Sequence, residues 1–183
     1  KMSRIYYIGQ VVPVDGVAAK TGFVPIGQAT AFTGNFDCNG YELRDFHVCS
    51  NMRSVGVLGF TSGSGKTTKI KSVGHTIIKF GYVGTDSQRC GLIGSNESSR
   101  TVLDSYSIGS VSGTGNSNTQ VGGIVGRNSS SSQVNDSYSI GSISGAGNSN
   151  TWIGGIVGYN VSSSQVNNSY STGSISGTGN SST

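Results

Sequence analysis

The feature that most constrains this chain is a repeat of 32 residues. Residues 104–135 read DSYSIGSVSGTGNSNTQVGGIVGRNSSSSQVN and residues 136–167 read DSYSIGSISGAGNSNTWIGGIVGYNVSSSQVN, with no insertion between them. A third copy opens at Asn168 as NSYSTGSISGTGNSST. One such unit has too few apolar side chains to enclose a core alone. Stacked units solve this, because each Ile or Val then packs on its own copy in the next turn. The repeat continues upstream in worn form. VGGIVG (121–126) and IGGIVG (153–158) have counterparts in CGLIG (90–94) and VGVLG (55–59). The block that starts at Val134 and Val166 has counterparts starting at Val102, Ile70 and Leu43, with steps of 27, 32, 32 and 32 residues. One early turn is therefore expected to be short.

Within a unit the local patterns are those of strands. In SYSIGSIS, Tyr138 and Ile140 share one side and Ser137 and Ser139 the other, the period-two signature. After Gly141 the apolar position becomes Ile143, which reads as a corner where the inward direction is reset. GAGNSN is turn chemistry, IGGIVG another short strand, and NVSSSQ another loop. No window carries a helical stripe. The expected fold class is all-β: a parallel β-solenoid of about 32 residues per turn. Its inward ladders would be Val102/Val134/Val166, Tyr106/Tyr138/Tyr170, Ile108/Ile140/Thr172, Val111/Ile143/Ile175 and Ile124/Ile156. Each fully buried member contributes about 1.5–3 kcal/mol. Three regions follow: an irregular N-terminal turn or cap over 1–31, degenerate turns over 32–103, and regular repeats over 104–183 with the last cut short.

Composition excludes several alternatives. The 30 glycines come with only 2 prolines and no three-residue period, which rules out collagen. Only 11% of residues are charged, whereas disordered chains of low hydrophobicity usually carry high net charge. Residues 1–100 hold eleven of the twelve Lys and Arg and six of the eight carboxylates, net +5; beyond them stands Arg127 against Asp104 and Asp136, net −1. The dense basic group Lys66, Lys69 and Lys71 sits among Thr and Ser without interleaved aromatics and reads as a solvated edge, so no nucleic-acid partner is expected. No apolar run of membrane-spanning length occurs, and no direct membrane insertion of this segment is expected. Cys38, Cys49 and Cys90 match no metal spacing; Cys38 could pair with Cys49, but burial as small apolar side chains is favoured.

The motifs that carry chemistry elsewhere fail here. GSGKTT (63–68) resembles a phosphate-cradling loop, yet the first glycine of G-x-x-x-x-G-K-[ST] falls on Phe60, and the residues that follow read as a strand. His47 and His75 lie 28 residues apart with no third ligand evident except Cys49. No nucleophile elbow in a strand-to-helix context is present. Asp37, Glu42 and Asp45 are close in sequence, but Asp37 is better placed to tie a turn than to act as an acid. Asp104 and Asp136, with Asn168 next in the column, should be exposed and hydrated rather than a calcium site. Asn-x-Ser sequons begin at Asn96, Asn128, Asn135, Asn160, Asn167 and Asn180. No catalytic residue, cofactor or metal is expected.

GGIVG followed by Asn, then V-N-x-S-Y-S-x-G-S-I-S-G, resembles the GLUG repeat of bacterial surface proteins. Here it stands at 122–128 with 134–145, and again at 154–160 with 166–177. FTGNFDCNGYELRDF (32–46) looks like the segment that opens such arrays, with Cys38 where glycine is usual. The resemblance covers about residues 23–177 and implies a right-handed β-helix in large extracellular proteins, among them adhesin-like proteins and the non-catalytic parts of immunoglobulin A peptidases. The zinc-binding His-Glu-x-x-His of those peptidases has no match here, so no active site carries over. The leading expectation is a non-catalytic stalk or adhesive module, secreted or at the cell surface. Its partners would be further copies of itself, end to end or lateral, or surface glycans and proteins. The alternatives are a subunit of a self-assembling fibre and a polysaccharide-cleaving β-helix enzyme. Ice binding by a hydroxyl row including Ser139 and Ser171 ranks behind all three.

Overall fold

A computed structural model describes residues 24–28, 30–44, 47–50, 52–82 and 87–179. These residues contain no helix and form a parallel β-solenoid of about four turns, roughly 32 residues each. Four sheets run along the stack. Sheet I holds Phe36–Asp37, Lys66–Thr68, Thr101–Leu103, Gln133–Asn135 and Gln165–Asn167. Sheet II is widest, with Lys71–Tyr82 and Tyr106–Gly115 as its long strands and Tyr138–Ile140, Ile143–Gly147, Tyr170–Ser171 and Ile175–Gly179 above them. Sheet III holds Ser54–Val55, Gln88–Cys90, Thr119–Gly122 and Thr151–Gly154. Sheet IV holds Leu58–Thr61, Ile93–Asn96, Val125–Asn128 and Val157–Asn160. Ile26 and Phe32 bridge to Leu58 and Thr61 at the lower edge of sheet IV; of the expected cap over 1–31, residues 1–23 and 29 lie outside the described residues.

In the regular turns the register is direct. Val102 pairs with Val134 and Val134 with Val166; Val111 pairs with Ile143 and Ile143 with Ile175. At the corner after sheet III, the Ile124 amide donates to Ile156 O at 3.0 Å. Val102, Val111, Ile124, Val134 and Ile143 are buried, whereas Val166, Tyr170 and Ile175 on the last described turn are 37%, 54% and 51% exposed.

Two expectations about ladders are corrected. Tyr106, Tyr138 and Tyr170, with Ile108, Ile140 and Thr172, face outward. The inward set is Ser107, Ser139 and Ser171; Ser139 is 3% exposed and Ile140 39%. The reason lies across the core, where a Cβ on Gly123 would meet the Ser139 hydroxyl, and one on Gly155 the Ser171 side chain. The interior there is one serine thick and excludes a tyrosine ring. Outside, the rings stack on one another, with centroids 4.8 Å apart for Tyr106–Tyr138 and 5.3 Å for Tyr138–Tyr170. Alternation then runs unbroken through Ser139, Gly141, Ile143 and Gly145, so no reset of parity is needed. Gly141 still bends the strand, at φ +141, a conformation closed to most residues. A hydroxyl row for ice binding is lost with Ser139 turned inward.

The second correction is upstream register. Below Val102 come Thr67 and Phe36, not Ile70 and Leu43, so the steps are 31, 35, 32 and 32 residues. Ile70 lies beside Ser105, its amide donating to Ser105 Oγ at 3.2 Å, and Leu43 pairs with Ser72. The longer step has a local cause. Between Ser72 and Thr76 the ladder against Tyr106–Gly115 slips, a bulge that takes up two residues of Lys71–Tyr82. Matching apolar residues in sequence skips Thr67, whose buried hydroxyl serves Arg100 instead.

The corners are built from polar side chains repeated at the same period. Asp104, Asp136 and Asn168 are exposed and sit at φ 50, 49 and 49, the left-handed region that Asp and Asn tolerate best. Asn168 Nδ2 donates to Asp136 Oδ1 at 3.1 Å, which relieves the like-charge column. Serine hydroxyls replace ladder bonds where the strands turn: the Ser105 amide donates to Ser137 Oγ and the Ser137 amide to Ser169 Oγ, both at 3.2 Å. Asp37 Oδ1 accepts from the Asn39 amide at 2.7 Å, the turn-tying role expected of it.

Candidate functional site

Two side-chain systems stand out from the repeated scaffold. The first is internal. Asn96, Asn128 and Asn160 close the strands of sheet IV, and their amides form a column: Asn96 Nδ2 donates to Asn128 Oδ1 and Asn128 Nδ2 to Asn160 Oδ1, both at 2.9 Å. The same nitrogens donate to Arg100 O and Ser132 O four residues on, each at 3.2 Å, closing the corner. Asn96 and Asn128 are fully buried, so these two sequons are enclosed structural residues; Asn135 and Asn167 lie nearer the surface, and Asn180 is outside the described residues.

Near the lower end, Arg100 is buried as well. Its NH2 donates to Gly34 O at 2.6 Å and to Thr67 Oγ1 at 3.1 Å, and the guanidinium lies 5.3 Å from the Phe32 ring centre. Burial lowers its pKa from the ordinary value. A serine occupies this place in the regular turns (Ser132, Ser164), and Gly65 below leaves the room that the larger side chain needs.

The second system is a cleft between sheets III and IV, and alternation creates it. In sheet III, Val55, Cys90, Val121 and Ile153 face the core, so their neighbours Ser54, Arg89, Gln120 and Trp152 form the opposite column. In sheet IV the facing column is Phe60, Ser95, Arg127 and Tyr159. The columns meet. Trp152 and Tyr159 have ring centres 4.8 Å apart, and Arg89 NH1 lies 3.7 Å from Glu97 Oε1. Arg127 Nε is also 3.7 Å from that oxygen, with its guanidinium 5.9 Å from the Tyr159 ring centre. Ser95 Oγ donates to Glu97 Oε1 at 2.8 Å. Arg89, Glu97 and Arg127, with Arg53, Ser54, Phe60 and Gln28 below them, line a cavity of about 320 Å³, and Gln28 donates to Ser54 O. Gln120 is 2% exposed, and its Oε1 has no hydrogen-bond partner. Three guanidinium groups, those of Arg53, Arg89 and Arg127, converge on the cavity together with the Glu97 carboxylate.

The remaining sequence candidates are placed as follows. Lys66–Thr68, the tail of the phosphate-loop look-alike, is a strand of sheet I, and Lys66 and Lys69 are exposed. Lys71 lies 5.7 Å from the Tyr106 ring centre. His47–Ser50 pairs with Lys71–Tyr82, but the side chains of His47, Cys49 and His75 lie outside what the structure describes, as do Asp15, Asp45 and Asp86. Cys38 and Cys90 are free thiols; burial pushes both up from the usual thiol pKa, Cys90 far more. Glu42 accepts from Tyr106 OH at 3.0 Å and pairs with Arg44 at 2.7 Å. Burial first, and then Glu42, push the Tyr106 phenol up to about 12. Among the described residues no group of three or more His, Cys, Asp or Glu could hold a metal, and no helix is long and apolar enough to cross a membrane.

No protein-family model, curated protein or solved structure matches the chain. The protein class defined here is that of the parallel β-solenoids.

Proposed function

We propose that this chain is a non-catalytic segment of an extracellular protein of the GLUG-repeat type, a stalk or adhesive module displayed at a surface. One observation supports this reading above others: the molecule is held together by residues meeting their own copies 32 positions on. Val134 lies on Val166, Tyr138 on Tyr170 and Asn128 on Asn160. Such a body grows by adding turns and keeps one cross-section throughout, which suits a spacer. The exterior of residues 101–179 offers mainly hydroxyl and amide groups, with Arg127, Asp104 and Asp136 as its only charged side chains. Two measurements test the reading. Small-angle scattering of the full chain should report an elongated particle, and incubation with extracellular polysaccharides should leave their length unchanged. A shortened polysaccharide would overturn the non-catalytic reading. Binding by the chain itself to arrayed glycans or matrix proteins would separate an adhesive module from a passive stalk.

A further inference from the structure

The two regular repeats, 104–135 and 136–167, differ at only six of their 32 positions. Two differences, Val111/Ile143 and Val121/Ile153, exchange aliphatic side chains of the core and its edge. The two most drastic are Gln120/Trp152 and Arg127/Tyr159, and both pairs lie in the columns that face each other across the cleft between sheets III and IV. Of these four residues Arg127 lines the cavity, and Trp152 and Tyr159 pack on each other one turn above it. Gln and Trp occupy equivalent rungs of one sheet, and Arg and Tyr of the other, so the fold accepts either residue at each rung.

We propose that this cleft binds an acidic saccharide lying along the solenoid axis, its carboxylates held by Arg53, Arg89 and Arg127 and its chain continuing over Trp152 and Tyr159. Guanidinium forks match the planar carboxylate in two parallel hydrogen bonds. Glu97, held by Ser95 and lying 3.7 Å from both Arg89 and Arg127, fixes the two guanidiniums side by side and offsets one positive charge. Rungs recur at about 4.8 Å, close to the length of one sugar unit, so successive units meet successive turns. An acidic peptide fits less well. The described lining offers rings, amides and guanidiniums but no aliphatic side chain to receive apolar residues.

The proposal rests on the reading of the chain as a non-catalytic extracellular module, and one experiment separates the two. Trp152 is the only tryptophan, so its fluorescence reports the wall over which the saccharide chain continues. The full chain is titrated with a galacturonate oligosaccharide, its methyl ester, a sulfated neutral oligosaccharide and a poly-glutamate peptide, and the saccharide is sized afterwards. Saturable binding of the galacturonate, absent for the ester and weakened by salt, is expected. R53Q/R127Q, which removes two of the three guanidiniums, should weaken it about tenfold or more. W152Q places the residue of the preceding turn at that rung and so preserves the fold; followed by calorimetry, it should weaken binding severalfold with an unchanged melting temperature. No saturable binding by the wild type, equal binding of acid and ester, tighter binding of the peptide, or unaltered affinity in both variants would each overturn the cleft assignment and leave the stalk reading standing. Binding followed by shortening of the saccharide would keep the cleft and overturn the non-catalytic reading.

Discussion

The side-chain amides of Asn96 and Asn128 are joined by a hydrogen bond of 2.9 Å, and both residues are sealed from solvent. Each amide also holds the backbone of its own corner, so the column ties neighbouring turns together and fixes the bend within each turn.

Replacing Asn128 by Ala removes donors to Ser132 O and Gln165 O and the acceptor for Asn96. The substitution is expected to cost about 2–4 kcal/mol, since buried groups are left unpaired. Asn167→Ala, at an exposed edge, should stay within about 0.5 kcal/mol. Urea titration followed by circular dichroism checks both.

Gly123→Ala is expected to destabilise by about 1–3 kcal/mol, as overpacking of a filled interior does. The new methyl would press on Ser139 Oγ and the Gly155 carbonyl, one of which is backbone and cannot swing aside. The double variant Gly123→Ala/Ser139→Gly should recover only part of the loss in thermal melts, because the carbonyl contact remains.

Arg100→Ala leaves Gly34 O and Lys66 O without their donor and opens a void beneath Thr67. A loss of about 2–4 kcal/mol is expected in denaturant titrations. Unfolding should then begin at the irregular lower turns, visible as early loss of hydrogen-exchange protection in Phe36–Asp37 and Lys66–Thr68.

Tyr106 should titrate late in phenolate absorbance, near pH 12, identified by difference against Tyr106→Phe. Because its folded pKa lies above the ordinary phenol value of about 10, the folded state favours the protonated form. That contribution is whole below about pH 10 and is lost as pH rises toward 12. Glu42→Gln should lower the midpoint only in part, since burial is the larger cause.

How much of this was legible in sequence depended on what each residue's neighbours were. The period, the parallel stacking and the correspondence of 55–59, 90–94, 121–126 and 153–158 follow from self-similarity, and the structure pairs Val55, Cys90, Val121 and Ile153 in that register. Alternation in SYSIGSIS was also readable, but alternation does not say which set faces inward. Apolar character pointed to Tyr138 and Ile140; Gly123 across the core decided for Ser139. Upstream, a two-residue bulge displaced the register, and no apolar pattern marks a bulge. The cleft was hidden for another reason. Gln120 and Arg127 lie seven residues apart on different sheets, and only the fold shows that their columns converge. The signal that could have found them was the change to Trp152 and Tyr159 in the next copy. The asparagine column was in plain view as the residue after GGIVG-x, but its burial was not.

The bonds between turns run along the long axis of the stack, as in the Val102–Val134–Val166 rungs. Tension applied along that axis therefore does not shear many bonds together; it opens one seam at a time. Each turn that lets go yields 32 residues of slack, about 110 Å when taut. A stack built this way lengthens in steps under load and can rewind onto the next intact turn when the load falls. Single-molecule pulling should trace these steps as evenly spaced force peaks over the regular repeats.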